Sequence, residues 1–239
     1  MRFASIGAEG EIVPWETHVD PKSKNIEDWM VEVTNSMLVA IRQHFLLSIE
    51  NYTEVKRTEW MQNWPGQIVL NASQVHWTRE TEKALNSEGN EGIKKYYAQL
   101  VQQLDDMVYL IRGKLSKMAR TSVGALAVID VHARDVMNKM ANETGVTRVR
   151  DFDWVSQMRF YWTGDRDDGD VRVEMVSSNR AYGYEYLGNS FRLVITPLTD
   201  KCYLTLMGAL QVSERASFEE DGTHTEGYKL IHSTSTRRR

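Results

Sequence analysis

The sequence has a single cysteine, Cys202, among its 239 residues, which excludes an internal disulfide and fits a reducing compartment. It also lacks a long apolar run. The longest, from Val123 to Ile129, falls far short of the ~20 residues that a membrane helix needs. Its first twenty residues have no apolar core of the kind that a signal peptide carries. We therefore expect a soluble, cytosolic protein without a membrane partner, and we expect Cys202 to be a small buried filler.

The charge and the motifs exclude several classes of function. With 29 basic and 33 acidic residues the net charge is −4, which argues against a nucleic-acid partner. The six histidines stand in no His-x-x-x-His setting, and no Ser/His/Asp, Cys/His or metal-ligand constellation is visible. No Gly-x-x-x-x-Gly-Lys-Ser/Thr occurs either, so no loop is expected to cradle a β- or γ-phosphate.

Apolar residues at three- and four-residue spacing predict a mainly helical protein. The first helix should begin after Asn25, as N-cap, and run for about seven turns. A short helix should end before Trp64-Pro65-Gly66, because the residue before a proline is disfavoured in the α region. In residues 67–86, Ile68-Val69-Leu70 could open a strand, but the spacing favours a helix beyond Ala72. The further predicted helices are Tyr97–Met118 and Ser122–Met140.

Two patterns within these helices leave alternatives open. The narrow seam from Tyr97 to Met118 could pack inside the domain or bind a coiled-coil partner, and its length of barely three heptads favours internal packing. The stretch Asp130–Asp135 could be a catalytic cluster, with His132 as acid-base and Asp130 or Asp135 as its orienting group. The simpler interpretation is a structural pair between Asp130 and Arg134, four residues apart on a helix.

The β structure is predicted to be small. Residues 1–24 contain glycines and prolines without periodicity, so we expect an irregular lead-in. Alternating Val171, Val173 and Met175 predict a half-buried strand, paired antiparallel with residues 180–186 around Ser177–Asn179. The aromatic residues of Phe152–Trp162 predict core or interdomain packing rather than a cofactor site.

Residues 181–211 carry the most specific pattern. The run Leu193-Val194-Ile195 should be extended, and Thr196-Pro197 should start a helix. The apolar residues at i+4 spacing predict the buried face of this helix: Leu198, Cys202, Leu206 and Leu210. Tyr203 and Met207 lie beside this face. Beyond Val212 polar residues dominate up to Arg237-Arg238-Arg239, and we expect disorder in residues 212–239.

Several strings resemble axonemal dynein heavy chains, at the point where the linker enters the first AAA+ module. They are Tyr-Gly-Tyr-Glu-Tyr-Leu-Gly-Asn-Ser from Tyr182, Arg-Leu-Val-Ile-Thr-Pro-Leu-Thr-Asp from Arg192, Trp-Pro-Gly-Gln-Ile-Val-Leu from Trp64, Asp-Val-His-Ala-Arg-Asp-Val from Asp130, and the Phe-Asp-Trp-x-Ser-Gln-x-Arg pattern from Phe152. The resemblance covers residues 4–211 and breaks off before the phosphate loop. The sequence is therefore expected to be either a short product or a piece of a longer chain.

The resemblance implies a fold and a division of the chain. It implies elongated helical bundles of the dynein linker over residues 1–180, then a small β-hairpin and the first strand and helix of an AAA+ module over residues 181–211. The residues that would lie against the adenine of ATP are Leu193, Val194, Ile195, Pro197 and Leu198. In the family the cofactors are ATP and Mg²⁺, whereas this chain alone is expected to hold neither and to be inactive as an ATPase.

The resemblance also implies a function. The linker bends and straightens as the first module binds and releases ATP, which drives a minus-end-directed microtubule motor in cilia or flagella. Expected partners are the rest of the motor ring, the intermediate and light chains and, indirectly, microtubules, at the axoneme of the cilium. The alternative is a non-motor helical interaction module of the axoneme, which would bind through the Tyr97–Met118 seam or the Phe152–Trp162 segment.

Overall fold

The structure is a computed structural model that describes residues 2–7, 9–20, 24–164, 169–189 and 194–220, without the side chains of residues 2, 3, 18 and 214–220. The helices in these ranges are α1 Ile26–Asn51, α2 Arg57–Asn63, α3 Gly66–Glu88, α4 Asn90–Arg112, α5 Lys117–Asn138, α6 Phe152–Val155 and α7 Pro197–Glu220. The strands are β1 Arg2–Ile6, β2 Ile12–His18, β3 Arg159–Thr163, β4 Asp170–Met175 and β5 Ser178–Ala181. A π-helical turn, Lys139–Glu143, continues α5.

Helix α3 is the centre of the helical body. Fourteen of its 23 residues are buried, because α1, α4, α5 and β3 all pack against it. Between Gly66 and Thr78 every residue except Gln74 is buried, so neighbouring elements cover this half of the helix on all sides. The run Ile68-Val69-Leu70 therefore belongs to this buried helix, and the alternative of a strand is wrong.

Two small antiparallel sheets flank the helices. Strands β1 and β2 form a hairpin, so the prediction of an irregular lead-in for residues 1–24 is wrong. Strands β3, β4 and β5 form a meander in which Val171, Val173 and Met175 are buried, which confirms the predicted half-buried strand. The turn after Met175 has Val176 at φ 53°, and β5 ends at Ala181, shorter than predicted.

Among the described residues, the buried apolar side chains form two clusters rather than one. The larger joins α1, α2, α3, α5 and the meander around Phe45, Trp60 and Leu126. The second joins α3, α4, α5 and α6 around Trp77, Met137 and Trp154. The aromatic segment 152–162 contributes to both, which confirms its predicted packing role.

All six predicted helices are observed and differ at some ends, whereas the short helix α6 was not predicted. Helix α5 begins at Lys117, earlier than Ser122, because the Ser116 hydroxyl accepts a hydrogen bond from the Ala119 amide and caps it. The seam is split by Gly113, and its central residues Leu100, Leu104 and Met107 are buried within the chain. Internal packing of the seam is therefore observed.

Helix α7 corrects three predictions. Leu198, Cys202, Leu206 and Leu210 are exposed, whereas Met207 is buried with Tyr203 and Leu204 half-buried beside it. The helix also continues to Glu220, so residues 212–220 are helical rather than disordered, and residues 221–239 lie outside the described ranges. Val194 and Ile195 belong to no strand. None of the described helices is long and apolar enough to cross a membrane.

Candidate functional site at the junction of the helical body and α7

The segment that leads from β5 toward α7 is held by the first turns of α3. We call its described part, residues 182–189, the entry segment. The Gln67 side chain donates to the Tyr182 hydroxyl at 2.9 Å and to the Glu185 carbonyl at 2.7 Å, and it accepts from the Leu187 amide at 2.7 Å. Asn71 donates to the same Tyr182 hydroxyl at 2.5 Å. Gln67 and Asn71 thus form a polar clamp at the buried start of α3.

The N-terminus of α3 extends this contact to the β1–β2 hairpin. One carboxylate oxygen of Glu11 accepts from the Gly66 amide at 2.8 Å, and the other accepts from the Tyr186 hydroxyl at 3.0 Å. The first amides of a helix lack intrahelical partners and favour negative charge, so Glu11 satisfies both needs. Burial and the Glu11 carboxylate raise the pKa of Tyr186, which therefore stays a donor.

Close packing fixes the end of the entry segment. Asn189 is buried and donates to the Ser122 hydroxyl of α5 at 2.7 Å. A Cβ on Gly66 would lie 2.5 Å from Cγ of Asn189, so a glycine is required at position 66 for this approach. Tyr184, at φ 50°, donates to Asp170 at 2.6 Å and accepts from the Val171 amide at 3.0 Å, which secures an unusual backbone conformation.

Helix α7 is attached to the body along one narrow side. The Asn179 amide donates to the Gln211 side chain at 3.1 Å, and the Arg180 guanidinium donates to the Leu210 carbonyl. Thr196 caps the helix start, where its hydroxyl accepts from the Thr199 amide at 3.3 Å. The predicted start at Pro197 is confirmed. The opposite side of α7 is an apolar surface that no described residue covers.

Of the five residues predicted to meet adenine, the four that the structure describes do not form a closed pocket. Val194 is 70% exposed and Leu198 71%, and Pro197 is exposed as well. Ile195 is half-buried and faces a cavity on the other side of the junction, while Leu193 lies outside the described residues. Val194, Pro197 and Leu198 therefore do not belong to the buried core. Val194, Pro197 and Leu198 form an exposed apolar surface, which we call the apolar edge.

The cavity behind Ile195 has a volume of about 260 Å³. It lies between the two core clusters, and α7 contributes Asp200 and Tyr203 to its wall. On the body side Arg57 binds Asp130 through both Nη atoms, at 3.0 and 2.7 Å, and donates to Ser73 at 3.0 Å. Burial alone would lower the pKa of Arg57, but the Asp130 carboxylate outweighs burial and raises it.

The structure separates the ionisable groups of the Asp130–Asp135 stretch. Asp130 pairs with Arg57, and Arg134 pairs with its neighbour Asp135, so the predicted Asp130–Arg134 pair is wrong. His132 Nε2 lies 3.7 Å from Asp200 Oδ1 of α7. Burial lowers the pKa of His132, while Asp200 and Asp135 oppose that shift. Asp130 is directed at Arg57, which does not support its role as the orienting group of a catalytic cluster.

Sequence reasoning missed the clamp, although a signal for it was present. Gln67 and Asn71 are polar residues that flank the apolar run Ile68-Val69-Leu70, and both are buried. Buried polar groups need hydrogen-bond partners. Their partners lie more than a hundred residues away, in the entry segment. Across the described residues, no group of three or more His, Cys, Asp or Glu side chains could hold a metal ion.

Comparison with known proteins places this junction in a sequence family. Residues 182–227 match the model of the hydrolytic ATP binding site of the dynein motor region. The chain is 49% identical over 205 residues to mouse dynein axonemal heavy chain 1, covering 86% of the chain and 5% of that protein. It is 50% identical over 188 residues to mouse dynein axonemal heavy chain 12, covering 79% of the chain and 6% of that protein. It is 44% identical over 210 residues to human dynein axonemal heavy chain 3, covering 87% of the chain and 5% of that protein. The chain thus spans about a twentieth of the length of these relatives.

Proposed function

We propose, from the premise that this chain belongs to the axonemal dynein heavy chain family, that it forms the joint between the linker and the first AAA+ module of a motor. In this proposal residues 1–180 are the C-terminal helical region of the linker and residues 181–211 begin the module. The motor would be ATP-driven and minus-end-directed, and it would act at the axoneme of a cilium or flagellum. Its partners would be the rest of the motor ring, the intermediate and light chains and, indirectly, microtubules.

The single observation that carries the proposal is the clamp on the entry segment. A joint that transmits force needs its entering chain fixed to the stiffest part of the body. Here three hydrogen bonds of Gln67 and one of Asn71 fix the entry segment to α3, the most buried helix. Buried hydrogen bonds are costly to leave unmade, so movement of the entry segment would carry α3 with it.

The exposed side of α7 supports the second half of the proposal. Leu198, Leu206 and Leu210 form an apolar face on a helix whose other side is attached to the body. Contiguous exposed apolar surface of this kind marks a contact that remains to be completed. We propose that the remaining part of the module completes it in the longer protein.

The same edge would serve as one wall of an adenine slot. Val194, Ile195, Pro197 and Leu198, with Leu193 before them, supply apolar surface that suits the face of a base. They fit the base alone, because the sequence has no Gly-x-x-x-x-Gly-Lys-Ser/Thr loop to hold phosphates. ATP and Mg²⁺ would supply the hydrolysis that drives movement, and this chain's residues would position the base and pass movement to α3.

The alternative, a non-motor interaction module of the axoneme, has weaker support. Its first proposed binding surface, the seam, has Leu100, Leu104 and Met107 buried inside the chain. Its second, the Phe152–Trp162 segment, has Trp154 buried and only Phe152 largely exposed among its large apolar residues. Neither surface is therefore free to bind a partner as a whole.

The proposal is tested in a recombinant dynein motor that contains this segment. The Gln67→Ala/Asn71→Ala variant should release the entry segment while leaving the module's ATP site intact. We expect microtubule gliding velocity to fall several-fold while basal MgATP hydrolysis stays near the unmodified rate, because force is generated but not transmitted.

Gln102→Ala/Asn142→Ala is the matched control, since it removes the same two residue types from exposed positions. It should leave both gliding and hydrolysis unchanged. Full gliding velocity in the clamp variant would contradict the proposed role of the joint, as would an equal loss in both variants.

A further inference from the structure

The cavity between the two core clusters has room for a small molecule. Its volume is about 260 Å³, and an apolar cavity of about 150 Å³ is enough to hold benzene. Most of its wall is apolar, and α3, α4, α5 and α7 all contribute to it. Sites for small ligands are typically apolar hollows with a few polar groups that fix the ligand. The polar groups of this wall therefore decide which kind of molecule fits.

One carboxylate on the wall has no counter-charge. Asp200, in the first turn of α7, makes no side-chain hydrogen bond with a described residue. Its one ionic contact within the described part of the chain is with His132, whose Nε2 lies 3.7 Å from Oδ1 of Asp200, too far for a hydrogen bond. Burial lowers the pKa of His132, so this ring is mostly neutral at pH 7. Asp200 therefore places an uncompensated negative charge beside the cavity.

The other charges on the wall cancel. Arg57 and Asp130 form a bidentate pair, and Nε and Nη1 of the guanidinium and Oδ2 of the carboxylate have almost no accessible surface. The pair therefore presents no net charge to a ligand. Among the described residues, no further lysine, arginine or acidic side chain lines the cavity. At pH 7 the wall thus carries one net negative charge, that of Asp200.

We propose that this cavity is a binding site for a small organic cation, in which an ammonium or amidinium group pairs with Asp200 and an apolar body fills the space beside it. Burying a positive charge is costly unless a counter-charge meets it, and Asp200 supplies that counter-charge.

Neighbouring polar groups complete this site. Gln74, Gln103 and Tyr203 line the same cavity, and their side chains make no hydrogen bond with a described residue. Their oxygens can accept the N–H groups of the cation that Asp200 leaves over. Because Asp200 and Tyr203 belong to α7, the ligand would contact α7 and the helical body at once. Binding would therefore hold the start of α7 against the body.

The test uses benzamidine as the probe and benzamide as its uncharged counterpart of nearly equal shape. Each is titrated into the ¹⁵N-labelled 239-residue chain while the backbone amide resonances of residues 198–204 are followed by NMR. A ligand of this size should bind with a dissociation constant of about 1 mM. Benzamide should bind about fivefold more weakly, because it cannot pair with this partly exposed carboxylate.

Variants separate this site from general binding of cations to an acidic protein. Asp200→Asn keeps the shape of the side chain and removes its charge, so the two probes should bind this variant with equal affinity. Gln103→Glu adds a second carboxylate to the wall and should tighten benzamidine binding about threefold, a gain that misfolding cannot produce. The matched controls are Asp105→Asn and Gln102→Glu, which make the same changes at exposed positions of α4 outside the cavity. Both should bind the two probes as the unmodified chain does.

Four results would overturn the proposal. They are the absence of a saturable shift, equal affinity of the unmodified chain for benzamide and benzamidine, a preference for benzamidine that survives in Asp200→Asn, and an equal effect of Gln103→Glu and Gln102→Glu. Hydrogen exchange gives an independent measure, because benzamidine should slow the exchange of α7 amides more in the unmodified chain than in Asp200→Asn. Binding to this chain does not depend on the proposed motor function.

Discussion

Arg57 and Asp130 are the most deeply buried ion pair among the described residues. Their side chains are 13% and 8% exposed, and each Nη of Arg57 meets one carboxylate oxygen. Such a pair gains little over apolar residues of similar volume, because both charges were removed from water. Its importance lies in the penalty that follows when one partner is removed. The pair also joins α2 to α5 beside the cavity.

Removal of one charge from this pair should be far costlier than removal of a surface pair. We expect Asp130→Asn to lower the free energy of unfolding by about 3–5 kcal/mol, because Arg57 is left buried without a counter-charge. Arg134→Ala breaks the more exposed pair with Asp135 and should cost less than about 1 kcal/mol. Urea unfolding measures both values. Comparable losses in the two variants would refute this account of the buried pair.

His76 should make stability depend on pH. It is buried and stacked on Tyr52 with ring centroids 3.8 Å apart, and burial, with Arg79 nearby, lowers its pKa to about 3. The unfolded chain takes up this proton near pH 6.5 while the folded chain does not, so stability is lost as the pH falls below 6.5. Between pH 7 and pH 5 the loss from this group should be about 2 kcal/mol.

The variant that tests this is His76→Phe, which preserves a ring for stacking and removes the titrating group. The free energy of unfolding, measured at pH 7, 6 and 5, should fall less steeply in the variant. The difference between the two proteins should reach about 2 kcal/mol at pH 5, which is the loss attributed to His76. The same slope in both proteins would show that His76 is not the group responsible.

At this scale the sequence identifies residues but rarely their partners. The stretch Asp130–Asp135 was visible as a cluster of charge, and the helix rule paired Asp130 with Arg134 at i+4. The actual partner is Arg57, 73 positions away, and only the folding of α2 against α5 brings the two together. Gln67 and Tyr182 are 115 positions apart for the same reason. Local spacing contains no information about such contacts.

At the scale of elements, α7 shows what periodicity can and cannot predict. The i+4 spacing of Leu198, Cys202, Leu206 and Leu210 correctly predicted a helix with an apolar face. It could not predict which face meets the body, because apolar residues occur on both sides of α7 and Met207 lies on the other. The same limit applies to residues 1–24, where a hairpin forms through register between strands and not through any strong local pattern.

Substitutions on the exposed and the buried face of α7 should affect different properties: the first self-association, the second the attachment of the helix. Leu206 is 59% exposed and Met207 is 8% exposed, yet they are adjacent. Leu206→Lys should reduce self-association, seen as a smaller rise of light scattering with concentration, and should leave thermal stability nearly unchanged. Met207→Lys should bury a charge and detach α7, seen as faster hydrogen exchange over residues 197–213. If Leu206→Lys detached α7 instead, the assignment of its two faces would be wrong.

At the scale of the whole molecule, stability is distributed unevenly. Two buried clusters share α3 and α5 and form one continuous body, with the cavity between them. Helix α7 adds Met207 to the larger cluster, with Tyr203 and Leu204 packed beside it, and its polar contacts with the body are those to β5 and the His132–Asp200 contact. The element that would begin the module is therefore the one most easily moved, while the entry segment that leads to it is firmly held. This arrangement suits a joint.

The same arrangement predicts that the 239-residue chain hydrolyses no ATP by itself. Its apolar edge at Val194 and Leu198 can meet a base on one face only, and no glycine-rich loop in the sequence holds the phosphates. Phosphate contacts and the metal supply most of the stabilisation of phosphoryl transfer, so a base contact alone gives no turnover. We expect phosphate release from MgATP to equal the blank, and to be the same for Leu198→Glu, which places a charge on the edge. Turnover that is present in the unmodified chain and abolished in Leu198→Glu would contradict the prediction, because a contaminating ATPase would be unaffected by that substitution.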